Sequence, residues 1–262
     1  MMRDFPVEDF AIKAAGHRLQ ARRLGRRDKG PVLVFLHEGL GCIAQWRDFP
    51  ELLCRKAGLS GLVYDRLGYG GSDPLKEKRR VEYLHEEAFT CLPEVLKKCG
   101  IGKAFFIGHS DGGSIALLFA AVHPDRTAGI ITEAAHVFVE DVTLDGIRDA
   151  AAAYQRGELR EKLARYHVGN TEEAFRGWAD TWLSPEFRNW NLEEYLPSIH
   201  APILAIQGQN DPYGTAAQVE SIVGRVSGPA QGLIIPTCGH IPHLQAKHRV
   251  LSVMAEFILE HA

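Results

Sequence analysis

Six short apolar runs, most of them followed by a loop and a helical pattern, leave this chain few ways to fold. They are residues 31–36 (PVLVFL), 61–64 (GLVY), 103–107 (KAFFI), 127–135 (TAGIITEAA), 201–206 (APILAI) and 231–235 (QGLII). β-Branched and aromatic residues fill them with little polar alternation, the pattern of strands buried on both faces of a parallel sheet. Helical patterns separate them. One places Trp46, Phe49, Leu52 and Leu53 on a single face; others cover 86–100, 114–122, 215–226 and 246–260. Alternating strand and helix predicts an α/β fold with a mostly parallel, doubly wound sheet. Residues 10–24 read as two alternating strands around Gly16, an entry hairpin.

The alternation stops between residues 137 and 198, where two long stretches are helical by composition and period with no strand between them. This segment is expected to be a helical cap inserted into one domain, whose core is made of residues 1–136 and 199–262. At 262 residues and 45% hydrophobic, the chain is large enough to bury such a core.

A net charge of −3 argues against a nucleic-acid partner. Basic residues cluster at 21–30 (ARRLGRRDKG) and 76–80 (KEKRR), both in predicted loops, and read as solvated faces. The first ten residues carry acidic groups where a signal peptide needs an apolar run, and no stretch approaches a membrane span, so no membrane partner and a cytoplasmic location are expected. Five cysteines, Cys42, Cys54, Cys91, Cys99 and Cys238, form no C-x-x-C pair and suit a reducing compartment.

The run ending at Ile107 passes into Gly108-His109-Ser110-Asp111-Gly112 and then into a helix that Pro124 stops. Strand, sharp turn and helix are the context that a G-x-S-x-G nucleophile elbow requires. The turn forces Ser110 into strained backbone geometry, and glycine two places either side lets neighbouring elements approach. A bare glycine-rich turn is the bland alternative, but it would not require partners downstream.

Partners are present. In an open parallel sheet, functional groups gather at the carboxyl ends of strands. Asp211 lies just beyond the run ending at Ile206, and His240 just beyond the run ending at Ile235. The order Ser110, Asp211, His240 is that of a triad built on an elbow. In it His240 takes the serine proton and later returns it, and Asp211 fixes the imidazole tautomer. The backbone N–H of Asp111 supplies one oxyanion donor, and the loop 37–41 (HEGLG) the other, with Gly39 best placed.

On the pieces FLHEGLG, YDRLGYGGSD, IGHSDGGSIAL, IQGQNDPYG and CGHIPH, the chain resembles small, capped α/β-hydrolases over essentially its whole length. The resemblance implies a hydrolase fold with a helical lid and assigns the triad to Ser110, Asp211 and His240. Glu38 departs from it, standing where many members carry glycine. Either Arg66 neutralises the Glu38 carboxylate or the carboxylate points away. His136, at the entrance to the inserted segment, either reaches substrate or is structural. Trp178, Trp182 and Trp190 either line an apolar pocket or form the core of the cap.

Cys238, His240, His243 and His248 invite a metal reading, but their spacing fits no common zinc pattern, and no metal or other cofactor is expected. The function read from these residues is a serine-dependent hydrolase acting through an acyl-enzyme on a small carboxylic ester, thioester or lactone. C–C cleavage of ring-fission diketones is the sibling reaction, and acyl transfer or cofactor-free haloperoxidase chemistry are thinner alternatives. A ligand receptor with little turnover is the alternative of another class. The pattern carries no signal for substrate identity or oligomeric state.

Overall fold

The computed structural model describes residues 5–26 and 30–262. Eight strands form one sheet: β1 (Val7–Ala14), β2 (His17–Leu24), β3 (Val32–Leu36), β4 (Gly61–Tyr64), β5 (Ala104–His109), β6 (Thr127–Glu133), β7 (Ile203–Gly208) and β8 (Ala230–Ile235). Their order is β1-β2-β4-β3-β5-β6-β7-β8. The β1–β2 hairpin, which turns at Ala15 and Gly16, is antiparallel and pairs antiparallel with β4; from β4 to β8 every pairing is parallel.

The central strands are apolar throughout because they have no solvent face. Val34, Leu36 and Phe106 point into one core, while Leu33, Phe35, Phe105 and Ile107 point into the other. Helix α1 (Phe49–Ala57) covers the second face together with the C-terminal helix. On the first face lie α2 (Tyr83–Glu86), α3 (Leu92–Lys98) and α4 (Asp111–Val122). Between β6 and β7 the described chain forms α5 (Asp141–Gln155), α6 (Glu158–Ala164) and α7 (Thr171–Trp182), then 3-10 turns at Pro185–Asn189 and Glu193–Ser198. One isolated bridge, Phe138 to Asn191, ties the two ends of this segment together. Helices α8 (Ala216–Arg225), α9 (Pro242–Gln245) and α10 (Lys247–His261) complete the fold, α10 being the C-terminal helix on the second face.

Three local readings change. Trp46 is not on α1: it ends a 3-10 turn, Ile43–Trp46, and Arg47 at φ 54° separates the two, leaving Leu52 only partly buried. The helix expected over 86–100 begins earlier, at Tyr83, and contains a π turn, Glu87–Cys91. Pro93 is the cause we assign, since its ring would clash with the carbonyl four residues back in a regular α-helix and a wider turn relieves that contact. The basic run at 76–80 is not wholly a solvated face. The Arg79 side chain is 5% exposed; its guanidinium lies 5.0 Å from the Tyr69 ring centroid and 5.1 Å from that of Tyr83, and it donates to the Leu67 carbonyl. Of the other basic cluster, residues 27–29 lie outside the described residues, as do residues 1–4 of the N-terminal stretch. No helix among the described residues is long and apolar enough to cross a membrane.

Candidate active site

Strand β5 delivers Ser110 to a turn in which its backbone sits at φ 52°, ψ −119°, immediately before α4. That φ is unfavourable for any residue with a side chain, so the surrounding contacts must enforce it. They are close. A Cβ on Gly108 would lie 2.2 Å from the Gly112 carbonyl oxygen, and a Cβ on Gly112 would lie 2.0 Å from the Leu36 carbonyl oxygen. Only glycine lets β3, β5 and α4 meet at these distances.

Asp211 follows β7 and His240 follows β8, and the fold joins them. Both carboxylate oxygens of Asp211 lie within 2.9 Å of His240 Nδ1. Oδ1 also accepts the Tyr213 backbone N–H at 2.8 Å, and Oδ2 accepts the Gln207 side-chain amide at 2.7 Å. Burial opposes ionisation of Asp211, yet the hydrogen bond and charge of His240, with the Tyr213 N–H, hold its carboxyl below the usual range. A carboxylate only accepts, so Nδ1 carries the proton and Nε2 is left as the acceptor that a base needs. No hydrogen bond joins Ser110 Oγ to His240 among the described residues. Such contacts are commonly long before substrate binds.

His109, adjacent to Ser110 and without an assigned role in the sequence, ties the elbow to the histidine loop. Its Nε2 lies 2.7 Å from the His240 carbonyl oxygen and its Nδ1 3.3 Å from Glu38 Oε2. Both neighbours are acceptors, so both ring nitrogens donate and the ring is an imidazolium. Burial works against that charge, but the Glu38 hydrogen bond and charge outweigh it and push the pKa up to about 9. Burial likewise opposes the Glu38 charge, and the His109 hydrogen bond overcomes it, holding this carboxyl well below its ordinary range. The partner of the Glu38 carboxylate is therefore His109, so neither alternative for Glu38 holds: it is not neutralised by Arg66, nor does it point away unpaired. Arg66 reaches the Glu38 backbone carbonyl instead, at 2.9 Å.

The sign of the resulting pH dependence follows. The stabilisation from His109 is fully present below its unfolded pKa of about 6.5 and is lost as pH rises through about 9. That from Glu38 is present above about pH 4.3 and is lost as pH falls further. Glu38→Gln is expected to cost about 1.5–3 kcal/mol at pH 6.5, the worth of a hydrogen bond to a charged group. It should also flatten the decline in stability between pH 6.5 and 9.5, as thermal unfolding across that range will show. Parallel declines in the variant and the parent protein would remove the ion pair from this account.

Asp111 opens α4 with its side chain fully buried; Oδ2 accepts the Tyr83 hydroxyl at 2.7 Å and lies 3.5 Å from Arg66 Nη2. Tyr83 in turn accepts the Trp182 indole N–H at 2.8 Å. Trp182 also packs edge-on to His136, with centroids 5.2 Å apart, and against Phe187 and Trp190. Trp190 stacks on Phe187, which places it in the packing of the inserted segment. Trp178 lies directly against Gly39, so close that a Cβ there would meet its ring at 2.3 Å. His136 is buried; its Nε2 donates to the Tyr213 carbonyl at 2.9 Å, and burial, then the nearby His240, lowers its pKa.

Two of the residues weighed as metal ligands have other partners. His240 faces Asp211, and His243 Nδ1 bonds Glu133 Oε2 at 2.7 Å while its ring packs on Trp46. Among the described residues no group of three or more His, Cys, Asp or Glu side chains is arranged to hold a metal ion. Sequence reasoning passed over His109, Tyr83 and Gln207. Of these only His109 carried a signal, its place inside the elbow motif.

Comparison with known proteins agrees with the fold. A family described as alpha/beta hydrolase fold matches residues 31–194, a span that includes Ser110 and ends before Asp211 and His240. A proline iminopeptidase from Lactobacillus delbrueckii subsp. bulgaricus is 20% identical over 271 residues, covering 88% of this chain and 90% of its own. The enol-lactonase from Burkholderia xenovorans LB400 superposes with a TM-score of 0.77 at 20% identity, over 95% of this chain and 99% of the other. The 2-hydroxy-6-oxo-6-phenylhexa-2,4-dienoate hydrolase from Rhodococcus sp. strain RHA1 gives 0.80 at 14% identity, over 97% and 99%.

Proposed function

Because the chain belongs to the alpha/beta hydrolase fold family, and is similar to a proline iminopeptidase and an enol-lactonase, we propose that it is a serine-dependent hydrolase of a small carboxylic ester, thioester or lactone. The observation that carries this reading is the Asp211–His240 pair at 2.8 Å, set at the ends of β7 and β8, with a serine held at positive φ at the end of β5 whose neighbour His109 bonds the His240 carbonyl. In this reading Ser110 Oγ attacks the carbonyl carbon and His240 Nε2 takes its proton. The C–O or C–S bond to the leaving group then breaks as His240 returns the proton. Water, activated by the same imidazole, hydrolyses the acyl-enzyme.

The N–H groups of Gly39, in the loop after β3, and Asp111 serve as the oxyanion donors, the latter because the first-turn N–H groups of a helix have no intrahelical acceptor. Residues 137–198 act as the cap. Trp178, pressed on Gly39, and Trp182 with His136, which pack edge-on to each other, are the side chains we assign to substrate binding. The chemistry needs no metal or other cofactor, and the partner is a small molecule. A cytoplasmic location suits the reduced cysteines.

The test is covalent labelling. A fluorophosphonate should modify one serine, identified by mass spectrometry of the peptide containing Ser110, and short p-nitrophenyl esters or lactones should be turned over. Labelling at another residue, or turnover confined to dienol diketones, would sink the ester reading.

A further inference from the structure

The guanidinium of Arg66 touches both chain segments that carry the two oxyanion donors. Arg66 follows β4 and is fully buried. Its Nη2 donates to the Glu38 carbonyl at 2.9 Å, lies 3.3 Å from the His37 carbonyl, and faces Asp111 Oδ2 at 3.5 Å. The Glu38 carbonyl and the Gly39 N–H belong to one peptide unit. In a trans peptide they point in opposite directions, and no cis bond occurs among the described residues.

Two further donors fix that carbonyl. His37 Nδ1 lies 2.8 Å from it and the Gly41 N–H 3.1 Å. His37 Nε2 accepts the backbone N–H of Arg66 at 3.1 Å, which leaves the proton on Nδ1 and makes His37 a donor to Glu38. Burial, and then the Arg66 charge, hold this imidazole neutral. Three donors on one carbonyl set the plane of the Glu38–Gly39 peptide and aim its N–H away from Arg66. They also polarise it, because a hydrogen bond to an amide oxygen strengthens the N–H of the same unit as a donor.

We propose that Arg66 is a positioning residue of the oxyanion site: it orients and polarises the Glu38–Gly39 peptide and, through the Asp111 carboxylate, anchors the first residue of α4. This rests on reading Gly39 and Asp111 as the oxyanion donors. The remaining guanidinium nitrogens, Nε and Nη1, have no hydrogen-bond partner among the described residues, and the guanidinium carbon stands 4.9 Å from the Tyr69 ring centroid. An ammonium cannot reproduce the arrangement, since a lysine offers a point charge on a flexible stem in place of a rigid planar fork. Neutralising a buried Asp111 is the purely structural role such an arginine could have, and the two roles predict different losses.

The experiment compares the parent protein with Arg66→Lys, using p-nitrophenyl acetate as substrate and two inhibitors: an alkyl trifluoromethyl ketone, which forms a tetrahedral adduct with a nucleophilic serine, and the methyl ketone of the same chain length, which mimics bound substrate. In folded Arg66→Lys we expect kcat and trifluoromethyl ketone affinity to fall together by about 10- to 100-fold, short of the roughly 10²–10³ in kcat that removing a donor outright costs. Methyl ketone affinity should stay within about twofold.

If Arg66→Lys does not fold, Arg66→Met with Asp111→Asn removes both buried charges together, and the same selective loss is expected from it. Unchanged trifluoromethyl ketone affinity in a folded variant, or equal loss of both ketones, would overturn the proposal. Failure of the underlying reading has a different signature: the parent protein itself would then bind the two ketones equally, or keep its ester activity as Ser110→Ala.

Discussion

Ser110→Ala is expected to lower kcat on p-nitrophenyl esters by about 10⁶, the loss measured when the nucleophile of a serine triad is removed. The hydroxyl is the atom that forms the acyl bond, and neither His240 nor the oxyanion donors can supply it. Stability should hardly change. The strained backbone at φ 52° is retained with alanine, the Ser110 N–H still donates to the Glu133 carbonyl at 2.8 Å, and the side chain is small. Steady-state turnover, fluorophosphonate labelling and a thermal melt on the same preparation check this together. A variant that melts like the parent and still hydrolyses esters at a comparable rate would show that Ser110 is not the nucleophile.

Asp211→Asn is expected to cost about 10⁴ in kcat, as the equivalent change does in a serine protease triad, with the fold intact. In the parent protein, two carboxylate oxygens face His240 Nδ1 while also accepting the Tyr213 N–H and the Gln207 amide. An asparagine has one oxygen for those donors, so its NH₂ turns to His240. Nδ1 must then accept, the ring proton moves to Nε2, and the base can no longer take the serine proton. Ester kinetics at pH 7 decide it. A loss below about tenfold would mean that another carboxylate orients His240 or that the tautomer is set elsewhere. Phosphonate labelling should slow in parallel, because it draws on the same activated serine.

What could be read in the sequence was what depends on near neighbours. A strand buried on both faces must be apolar at every position, so the runs at 32–36, 104–107 and 203–206 announce a parallel sheet. The elbow is local as well: Gly108 and Gly112 are set two places from Ser110 because three backbones meet there at distances that exclude a Cβ. Asp211 and His240 were legible for a related reason, since each leaves the carboxyl end of a strand in a sheet whose direction was already determined.

Contacts between segments distant in sequence were decided only by the tertiary structure. The sheet order places β3 between β4 and β5, which brings Glu38 to His109 and Arg66 to the Glu38 carbonyl. Charge matching leaves Arg66 as one candidate partner of the Glu38 carboxylate, because residue types show formal charge but not that a guanidinium will meet a main-chain oxygen. The same holds for Arg79, which looked like part of a solvated basic run until packing brought the rings of Tyr69 and Tyr83 to it. Hydrophobic pattern sets which faces are buried, and so it determined the sheet and the strand ends. Which polar groups then meet across that buried space depends on strand order and side-chain direction, and a one-dimensional pattern carries neither.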